Sequence, residues 1–224
     1  MQISDFVTPK TPAGTALFLT WNGYHVFVIS KREVLHGVES LRFAGVGGKR
    51  QNPQESLVDC ALRESVEEIG AVVSSIDSAE QTYWLQADGS LEVVDFTDEA
   101  AAGRVQPRLI WEKRKHSSHG SMTNRDIPYY LVAFNASLSG QPRPLNEIAA
   151  ILYLTDQHLS GMQQPFPLTL AMLLAAGAQV ECQSGITLET DATLVPHGTA
   201  QFLVQQLTSY RSGRQPGRNN SVNL

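Results

Sequence analysis

Three glutamates, Glu64, Glu67 and Glu68, lie within five consecutive residues. On an α-helix these spacings place the three side chains within about 100° of arc, so their carboxylates are neighbours. Like charges at this spacing repel by about a few tenths of a kcal/mol per pair. A divalent cation would relieve that repulsion, and clustered carboxylate oxygens suit Mg²⁺ or Mn²⁺, and Ca²⁺ less specifically. Charged helical faces are usually only solvated surface, so the wider sequence has to decide between a metal site and an ordinary polar face.

Arg63 directly precedes the glutamate cluster and lies one helical turn from Glu67 and from Asp59. At that distance a guanidinium can pair with a carboxylate and fix its orientation. One arginine cannot neutralise three carboxylates. We therefore interpret Arg63 as an orienting partner of the glutamates.

The wider sequence favours a metal site over an ordinary polar face. The stretch from Gly47 to Ala71 reads GGKRQNPQESLVDCALRESVEEIGA. It resembles the box of the Nudix hydrolase family, G-x5-E-x7-R-E-U-x-E-E-x-G-U, in which U is a bulky aliphatic residue. The positions in register are Glu55, Arg63, Glu64, Glu67, Glu68 and Gly70. Six such matches arise by chance at about 10⁻⁷ to 10⁻⁸ per starting position, and the predicted loop and helix are the expected context.

The resemblance implies a fold, a set of site residues and a reaction. The expected fold class is α/β, with an α/β/α sandwich around a mixed β-sheet and, here, a C-terminal α/β extension. Glu64, Glu67 and Glu68 are expected to bind Mg²⁺ or Mn²⁺, with Glu55 as a supporting carboxylate and Arg63 holding the glutamates by ion pairs. Such a metal neutralises and orients a diphosphate and helps to deprotonate a water. The implied activity is metal-dependent hydrolysis of a nucleoside diphosphate linked to another group, X.

The glycine-rich loop before the helix is expected to let its backbone, at Gly48, approach the substrate. The loop departs from the family pattern, because Gly48 lies seven positions before Glu55 instead of six and Gln54 replaces a usual glycine. Ser65 and Ala71 also stand where aliphatic residues are usual. No metal-binding carboxylate is missing, which favours an active enzyme. The alternative is a non-catalytic Nudix-like nucleotide-binding or sensor module, which usually has a damaged box or an attached DNA-binding domain.

Glu147 lies between two predicted strands, Tyr129 to Ala136 and Ala149 to Leu154. In many members of the family an acidic residue at this point reaches the metal site or acts as a general base. The resemblance implies that role for Glu147. A loop glutamate without a catalytic role is an equally supported alternative.

The sequence around the box predicts the elements that position it. A helix is predicted from Ser56, which can cap its N-terminus, to Ile69, with Gly70 as its stop. Its apolar face is predicted to comprise Val58, Leu62, Val66 and Ile69, with Ser65 inside this stripe. We predict that Asn22-Gly23 forms a hairpin turn.

The rest of the chain predicts one mixed domain. Further predicted elements are a strand over 41–46, helices over 167–176 and 199–207, a hairpin of 180–182 with 186–189, and irregular structure over 86–128. We expect a single domain over residues 1–210, with a core of about 12–160 and an extension of about 161–210. Residues 211–224 are expected to be a disordered tail.

The segment between Gly70 and Tyr129 is unusually long and is basic in its second half. It contains 58 residues, whereas a simple connection needs about 4 to 6. Positive charge near acidic catalytic residues would capture a polyphosphate, so the expected substrate-contacting residues are Lys113, Arg114, Lys115 and Arg125. A solvated basic loop is the alternative for any one of them.

Composition excludes several other classes of protein. The 224 residues have a formal net charge of −5, which argues against nucleic-acid binding through overall charge. Two distant cysteines do not form a disulfide framework, and the longest apolar stretch is too short to cross a membrane. We therefore expect a cytoplasmic protein that acts on a small nucleoside diphosphate derivative and binds neither membrane nor nucleic acid. Family habit is compatible with a homodimer, although no sequence feature specifies one.

Overall fold

The computed structural model of the protein describes residues 2–35, 38–96, 104–114, 128–163 and 167–211. Within these residues, eleven strands form one mixed β-sheet. The strands are β1 (Ala13–Trp21), β2 (Tyr24–Leu35), β3 (Val38–Ala44), β4 (Val73–Asp77), β5 (Thr82–Leu85), β6 (Leu91–Val94), β7 (Leu109–Arg114), β8 (Pro128–Leu138), β9 (Ala150–Leu154), β10 (Gln179–Cys182) and β11 (Thr193–Pro196). The α-helices are α1 (Leu57–Ile69), α2 (Asp156–Gly161), α3 (Leu170–Ala175) and α4 (Thr199–Arg211), and a short 3₁₀ helix covers Ile3–Asp5.

The first hairpin forms as the sequence predicts. Asn22 and Gly23 both adopt positive φ, 49° and 82°, which is the backbone that a tight two-residue hairpin turn requires. The turn sets the antiparallel register of β1 and β2, with Trp21 opposite Tyr24. On its other side β1 pairs in parallel with β8, so β1 lies in the interior of the sheet.

Alternate residues of β1 separate the apolar core into two layers. Leu17 and Leu19 belong to one buried cluster, which α1 joins through Ala61 and Ile69. On the opposite face, Phe18 belongs to a second cluster to which α2, α3 and α4 contribute Leu159, Leu170, Leu173, Phe202 and Leu203. Helices thus cover both faces of the sheet, and the predicted α/β/α sandwich around a mixed sheet is confirmed.

Two local predictions are wrong. The segment 186–189 does not pair with residues 180–182, because β10 instead pairs antiparallel with β9, whose five residues are all buried. In addition, the region predicted as irregular contains β6 and β7. The apolar run at the start of β7 is only three residues long, and its pairing with β8, which no local pattern reveals, makes it a strand.

The C-terminal extension belongs to the same sheet as the core. β11 pairs in parallel with β3, and β10 adds to the edge at β9. Beyond Arg211, the tail predicted at 211–224 lies outside the described residues. In the part of the chain that the structure describes, no helix has the length and hydropathy needed to cross a membrane.

Candidate active site

The box helix α1 is defined at both ends by specific hydrogen bonds. The Ser56 hydroxyl accepts a hydrogen bond from the Asp59 N–H at 3.0 Å and so caps the first turn. At the other end Gly70 has a φ of 85°, which favours glycine and stops the helix. The N–H groups of Leu145 and Arg143 donate to the carbonyls of Glu68 and Ile69 at 2.9 and 3.2 Å. These bonds attach the loop that carries Glu147 to the end of α1.

The face of α1 that packs on the sheet differs from the predicted apolar stripe. Its buried residues are Cys60, Ala61, Ser65, Glu68 and Ile69. Leu62 and Val66, which were predicted to be buried, are 36% and 50% exposed. The small side chains of Ala61 and Ser65 allow the helix to approach the sheet closely, and the Ser65 hydroxyl is satisfied within the helix by the Leu62 carbonyl at 2.8 Å. Close packing, not hydrophobicity alone, sets the rotation of the helix.

Glu68 is the most deeply buried of the box carboxylates. Its side chain accepts a hydrogen bond from the Gly47 N–H at 2.8 Å, and the residue is only 6% exposed. The Glu68 pKa is raised to about 8, mainly by burial and in addition by the negative charges of Glu64, Glu147 and Glu67, against the lowering effect of the Gly47 hydrogen bond. The site therefore concentrates negative charge around a carboxyl group that is shielded from water.

The two glycines of the box loop lie beside the carboxylates. Gly47 has a φ of 148°, in the region that favours glycine, and its N–H faces Glu68. A β-carbon at Gly48 would overlap the Glu64 carboxylate. The loop is held by main-chain bonds to β1, in which Thr15 and Leu17 donate to Gly48 and Val46 at 2.8 Å. Close approach of the Gly48 backbone to Glu64 therefore explains why this position carries no side chain.

Arg63 connects the remaining carboxylates. Its Nε donates to Glu55 at 2.8 Å, and its Nη1 donates to Glu64 at 2.8 Å and to Glu67 at 3.2 Å. Its Nη2 donates to the Lys49 carbonyl at 3.1 Å. The hydrogen bond from Arg63 lowers the Glu55 pKa, and the same bond raises the pKa of the Arg63 guanidinium. Arg63 thus holds the box loop, through Glu55 and Lys49, against the helix.

Glu147 lies close enough for its charge to raise the Glu68 pKa. Its loop turns at Asn146, which has a φ of 50° and donates its side-chain N–H to the Glu67 carbonyl at 2.6 Å. Asparagine tolerates this left-handed backbone better than most residues. The loop therefore brings an exposed fourth carboxylate towards Glu64, Glu67 and Glu68.

The donor set suits a divalent cation, although the side chains do not already enclose one. Among the described residues, no group of three or more His, Cys, Asp or Glu side chains is arranged to hold a metal ion. Glu64 and Glu67 face the Arg63 guanidinium and Glu68 faces the Gly47 amide. Ligation by all three would require their side chains to rotate. The chemistry nevertheless fits, because a hard cation would offset the mutual repulsion of four carboxylates.

A cavity of about 430 Å³ adjoins the box loop. Its lining residues are Thr15, Ala16, Ala44, Gly45, Gly47, Gly48, Lys49, Lys113, Arg114, Tyr129, Leu131, His197, Gly198 and Thr199. The sheet register brings Lys113 opposite Tyr129. The structure thus places Gly48, Lys113 and Arg114 around one cavity, while Lys115 and Arg125 lie outside the described residues.

Two of the predicted basic residues differ in their surroundings. The Lys113 ammonium lies 4.1 Å from the centre of the Trp111 ring, and burial lowers the Lys113 pKa. Arg114 is more exposed, and its Nε lies 3.5 Å from the Glu112 carboxylate. Lys113 is therefore the better-positioned charge, since its stem and ammonium are held against an aromatic ring.

One wall of the cavity was not predicted from the sequence. His197, Gly198 and Thr199 come from the C-terminal extension, at and just before the start of α4. The Thr199 hydroxyl accepts a hydrogen bond from the buried Gly45 N–H at 3.0 Å. Gly198, with a φ of 55°, is a local signal of a sharp turn before a helix, but the contact with Gly45 joins residues 154 positions apart.

We expect Thr199→Val to lower the free energy of unfolding by about 1 to 3 kcal/mol, because the buried Gly45 N–H would lose its acceptor. Valine keeps the shape of threonine, so packing changes little. Thr20→Val, at an exposed position of β1, is the matched control and should stay within about 0.5 kcal/mol of the wild type. Urea denaturation of the three proteins measures the difference, and equal midpoints would show that the Gly45 bond does not anchor the extension.

Comparison with known proteins gives matches at the level of structure. No family model matches the chain, and no curated protein matches it. Several similar solved structures are Nudix hydrolases. A putative Nudix hydrolase family member from Chromobacterium violaceum has 12% identity and a TM-score of 0.37, with 92% of this chain and 81% of that chain covered. A Nudix hydrolase from Nitrosomonas europaea has 13% identity and a TM-score of 0.40, with 93% and 76% covered.

A structure described as a UDP-X diphosphatase has 11% identity and a TM-score of 0.38, with 94% of this chain and 68% of that chain covered. The resemblance to Nudix hydrolases is therefore present in the box and again among the matched structures.

Proposed function

We propose that the protein is a metal-dependent pyrophosphohydrolase of the Nudix type, which cleaves a nucleoside diphosphate linked to another group. The observation that carries this proposal is the box itself. Glu64, Glu67 and Glu68 are grouped on one helix, and Arg63 ties two of them to the loop. A solvated helical face would not require a 6% exposed glutamate or a loop glycine that fits against a carboxylate.

In this proposal Glu64, Glu67 and Glu68 would hold Mg²⁺ or Mn²⁺. When bound, the cation supplies neutralisation of the diphosphate charge and favours deprotonation of a nearby water. Arg63 orients Glu64 and Glu67, and Glu55 in turn orients Arg63. Glu147, which is exposed on the loop after β8, is the proposed general base, and a loop position without a catalytic role remains its alternative.

The basic residues around the cavity complete the proposal. Lys113 and Arg114 line the cavity that Gly48 also lines, and a cation there would attract the phosphates that the glutamates repel. Lys113 carries the stronger argument because its ammonium is half-buried against Trp111. The proposed substrate is a small nucleoside diphosphate derivative.

The proposal is tested by incubating the full chain with a panel of diphosphate compounds, with Mg²⁺, with Mn²⁺ and with EDTA. The panel contains sugar nucleotides, dinucleotides, nucleoside triphosphates and coenzyme diphosphates, and product formation is followed by chromatography. We expect cleavage of at least one compound with metal and none with EDTA. Tight binding of a nucleotide without cleavage of any compound would instead favour the sensor alternative.

We also expect millimolar Mg²⁺ or Mn²⁺ to raise the melting temperature. A ligand that binds only the native state at about 100 times its Kd stabilises that state by about 2.7 kcal/mol. Glu64→Gln should reduce the shift because it removes a ligating charge, whereas Glu92→Gln, on an exposed part of β6, should retain it. A melting temperature that does not change with metal, together with no heat of binding in calorimetry, would contradict the metal site.

A further inference from the structure

The box loop, which leads from β3 to α1, is one residue longer than the family pattern, since Gly48 lies seven positions before Glu55. A longer loop has more conformations open to it and loses more entropy when it is fixed. Its position nevertheless matters, because Glu55 and the Lys49 carbonyl both accept hydrogen bonds from Arg63, at 2.8 and 3.1 Å. Contacts outside the box therefore have to hold this loop in place.

The side chain of Arg50 joins the box loop to the N-terminal segment of the chain. Its Nη2 donates to the carbonyls of Thr8 and Pro9 at 2.9 and 3.0 Å, and also to the Thr11 carbonyl. Hydrogen bonds from an ionised donor are about twice as strong as those between neutral groups. One side chain thus binds three carbonyls of the N-terminal segment to the loop.

The N-terminal segment is itself packed on the sheet. Val7 is buried in the core layer that α1 joins, and the ring of Phe6 meets Trp84 edge-on, with the ring centres 4.9 Å apart. The main-chain N–H of Arg50 also donates to the Ala13 carbonyl, at the start of β1, at 3.0 Å. Arg50 is therefore bonded, through both its backbone and its side chain, to parts of the chain that the sheet supports.

Two short connections lead from Arg50 to Arg63. The carbonyl of the peptide group between Lys49 and Arg50 accepts a hydrogen bond from Arg63 Nη2 at 3.1 Å. The next N–H along the chain, that of Gln51, donates to Glu55 Oε2 at 2.7 Å, and Oε1 of the same carboxylate accepts from Arg63 Nε at 2.8 Å. A shift of Arg50 would therefore move both of the loop groups that hold Arg63.

Arg50 lies apart from the cavity that adjoins the carboxylates. The cavity of about 430 Å³ beside Gly48 is lined by other residues, whereas Arg50 and Glu55 line a separate cavity of about 580 Å³. Arg63 pairs directly with two of the box glutamates, at 2.8 and 3.2 Å. An effect of Arg50 on the glutamates would thus pass through Arg63 and not through contact with a substrate in the smaller cavity.

We infer that Arg50 is a positioning residue for the metal-binding glutamates. By fixing the box loop to the N-terminal segment, it holds Glu55 and the Lys49 carbonyl in the places from which they orient Arg63. The inference rests on the proposed function, since it takes the glutamates that Arg63 contacts to be metal ligands. It also explains how the longer loop keeps one conformation, through a side chain that the box motif does not specify.

The first test needs neither metal nor turnover. Hydrogen exchange of the metal-free full chain is followed by NMR at the Gln51 amide and at Arg63 Nε–H, the two donors that bond to Glu55. Arg50→Met keeps an aliphatic stem but removes the donors, and it should speed the exchange of both protons by about tenfold. The amides of the buried strand β9 should change little. Arg50→Lys should restore slow exchange in part, because an ammonium group also has three hydrogens to donate.

Titration calorimetry with Mn²⁺ gives the second readout. Loss of a group that orients a metal ligand typically weakens metal binding by about 10- to 100-fold, and for the more distant Arg50 we expect about fivefold in Arg50→Met. Arg50→Lys should recover part of this affinity. Arg42→Met is the matched control, because Arg42 is exposed on β3 and lies 3.6 Å from the Glu33 carboxylate; it should bind Mn²⁺ like the wild type.

A double-mutant cycle shows whether Arg50 acts through the proposed connection. Glu55→Ala removes one of the two loop groups that hold Arg63, so Arg50→Met should weaken Mn²⁺ binding less in that background than in the wild type. Two groups that stabilise the fold independently would instead give additive losses. Melting curves of all variants check that they fold.

The inference is overturned if Arg50→Met leaves both exchange rates or the Mn²⁺ affinity unchanged. Acceleration of exchange by the same factor over the whole sheet, or additive losses in the cycle, would show a merely structural role and would also overturn it. Failure of the proposed function gives a different result. In that case no diphosphate compound is cleaved, yet the exchange at Gln51 and Arg63 and the binding of Mn²⁺ still depend on Arg50.

Discussion

Glu68→Gln is expected to lower kcat by about 100-fold or more and, in metal-free protein, to raise the stability of the fold. The substitution keeps the shape of the side chain and an oxygen that can accept from the Gly47 N–H. It removes a charge that the proposed chemistry needs, and loss of one electrostatic stabilising group in an active site typically costs about 10² to 10³ in rate. Activity is measured on the substrate that the diphosphate panel identifies.

The gain in stability follows from the raised Glu68 pKa. Burial, together with the charges of the neighbouring glutamates, raises this pKa to about 8 from an unperturbed value of 4.5. Between these two values the folded state binds more protons than the unfolded state, so the stabilising contribution is complete below pH 4.5 and is lost as the pH rises through 8. Glutamine does not ionise, so the variant should be more stable than the wild type at pH 8, by at most about 4 kcal/mol.

Melting curves of wild type and Glu68→Gln in EDTA, from pH 5 to 9, measure this effect. The difference in melting temperature should grow with pH, because only the wild type has to ionise a buried carboxyl group. Glu92→Gln, at an exposed position, should follow the wild type throughout. Retention of most activity would contradict the catalytic assignment, and a constant difference across the pH range would contradict the account of burial.

The parts of the site that the sequence predicts are those within one short segment. Glu55, Arg63 and the three glutamates lie close together in the sequence. The helical period places Arg63 beside Glu67, and Arg63 also pairs with Glu55 of the preceding loop. The ends of α1 were also predictable, because Ser56 and Gly70 act through bonds to near neighbours. Local hydrogen bonds and fixed helical geometry therefore determine this part of the site, and contacts with the rest of the chain change it little.

The burial of α1 could not be predicted in the same way. Hydrophobicity favoured Leu62 and Val66, but Ala61 and Ser65 pack on the sheet because small side chains allow a closer approach. That choice depends on the shape of the sheet surface, which is absent from the helix sequence. The same rotation of the helix buries Glu68, so the raised pKa of that residue could not be predicted from the sequence either.

The cavity depends on contacts between distant segments. Lys113 was predicted from its charge, but β7 was not, because a run of three apolar residues carries no clear period. The wall at His197 depends on the bond between Thr199 and Gly45, 154 positions apart. Only pairing across the sheet and packing of the extension decide which side chains surround the cavity.

Gly48→Ala is expected to lower the rate of cleavage while leaving the stability of the fold nearly unchanged. The added methyl group would overlap the Glu64 carboxylate, which is the far end of a flexible side chain and can rotate away. The backbone of Gly48 requires no positive φ, so the loop should keep its conformation and the free energy of unfolding should change by less than about 1 kcal/mol. The displaced carboxylate would no longer lie where the proposed chemistry needs it, and misplacement by about 1 Å can cost about 10² in rate.

The matched control for this substitution is Gly140→Ala. Gly140 also lacks a positive φ, and the nearest atom to an added β-carbon, Val72 Cγ1, lies at an ordinary contact distance of 3.6 Å. Both variants therefore add the same methyl group, but only the one at Gly48 meets Glu64. Urea denaturation should find both close to the wild type in stability, while steady-state kinetics should find kcat reduced only in Gly48→Ala. Equal activity of the two variants would mean that the position of the Glu64 carboxylate does not matter for cleavage, which the proposed mechanism does not allow.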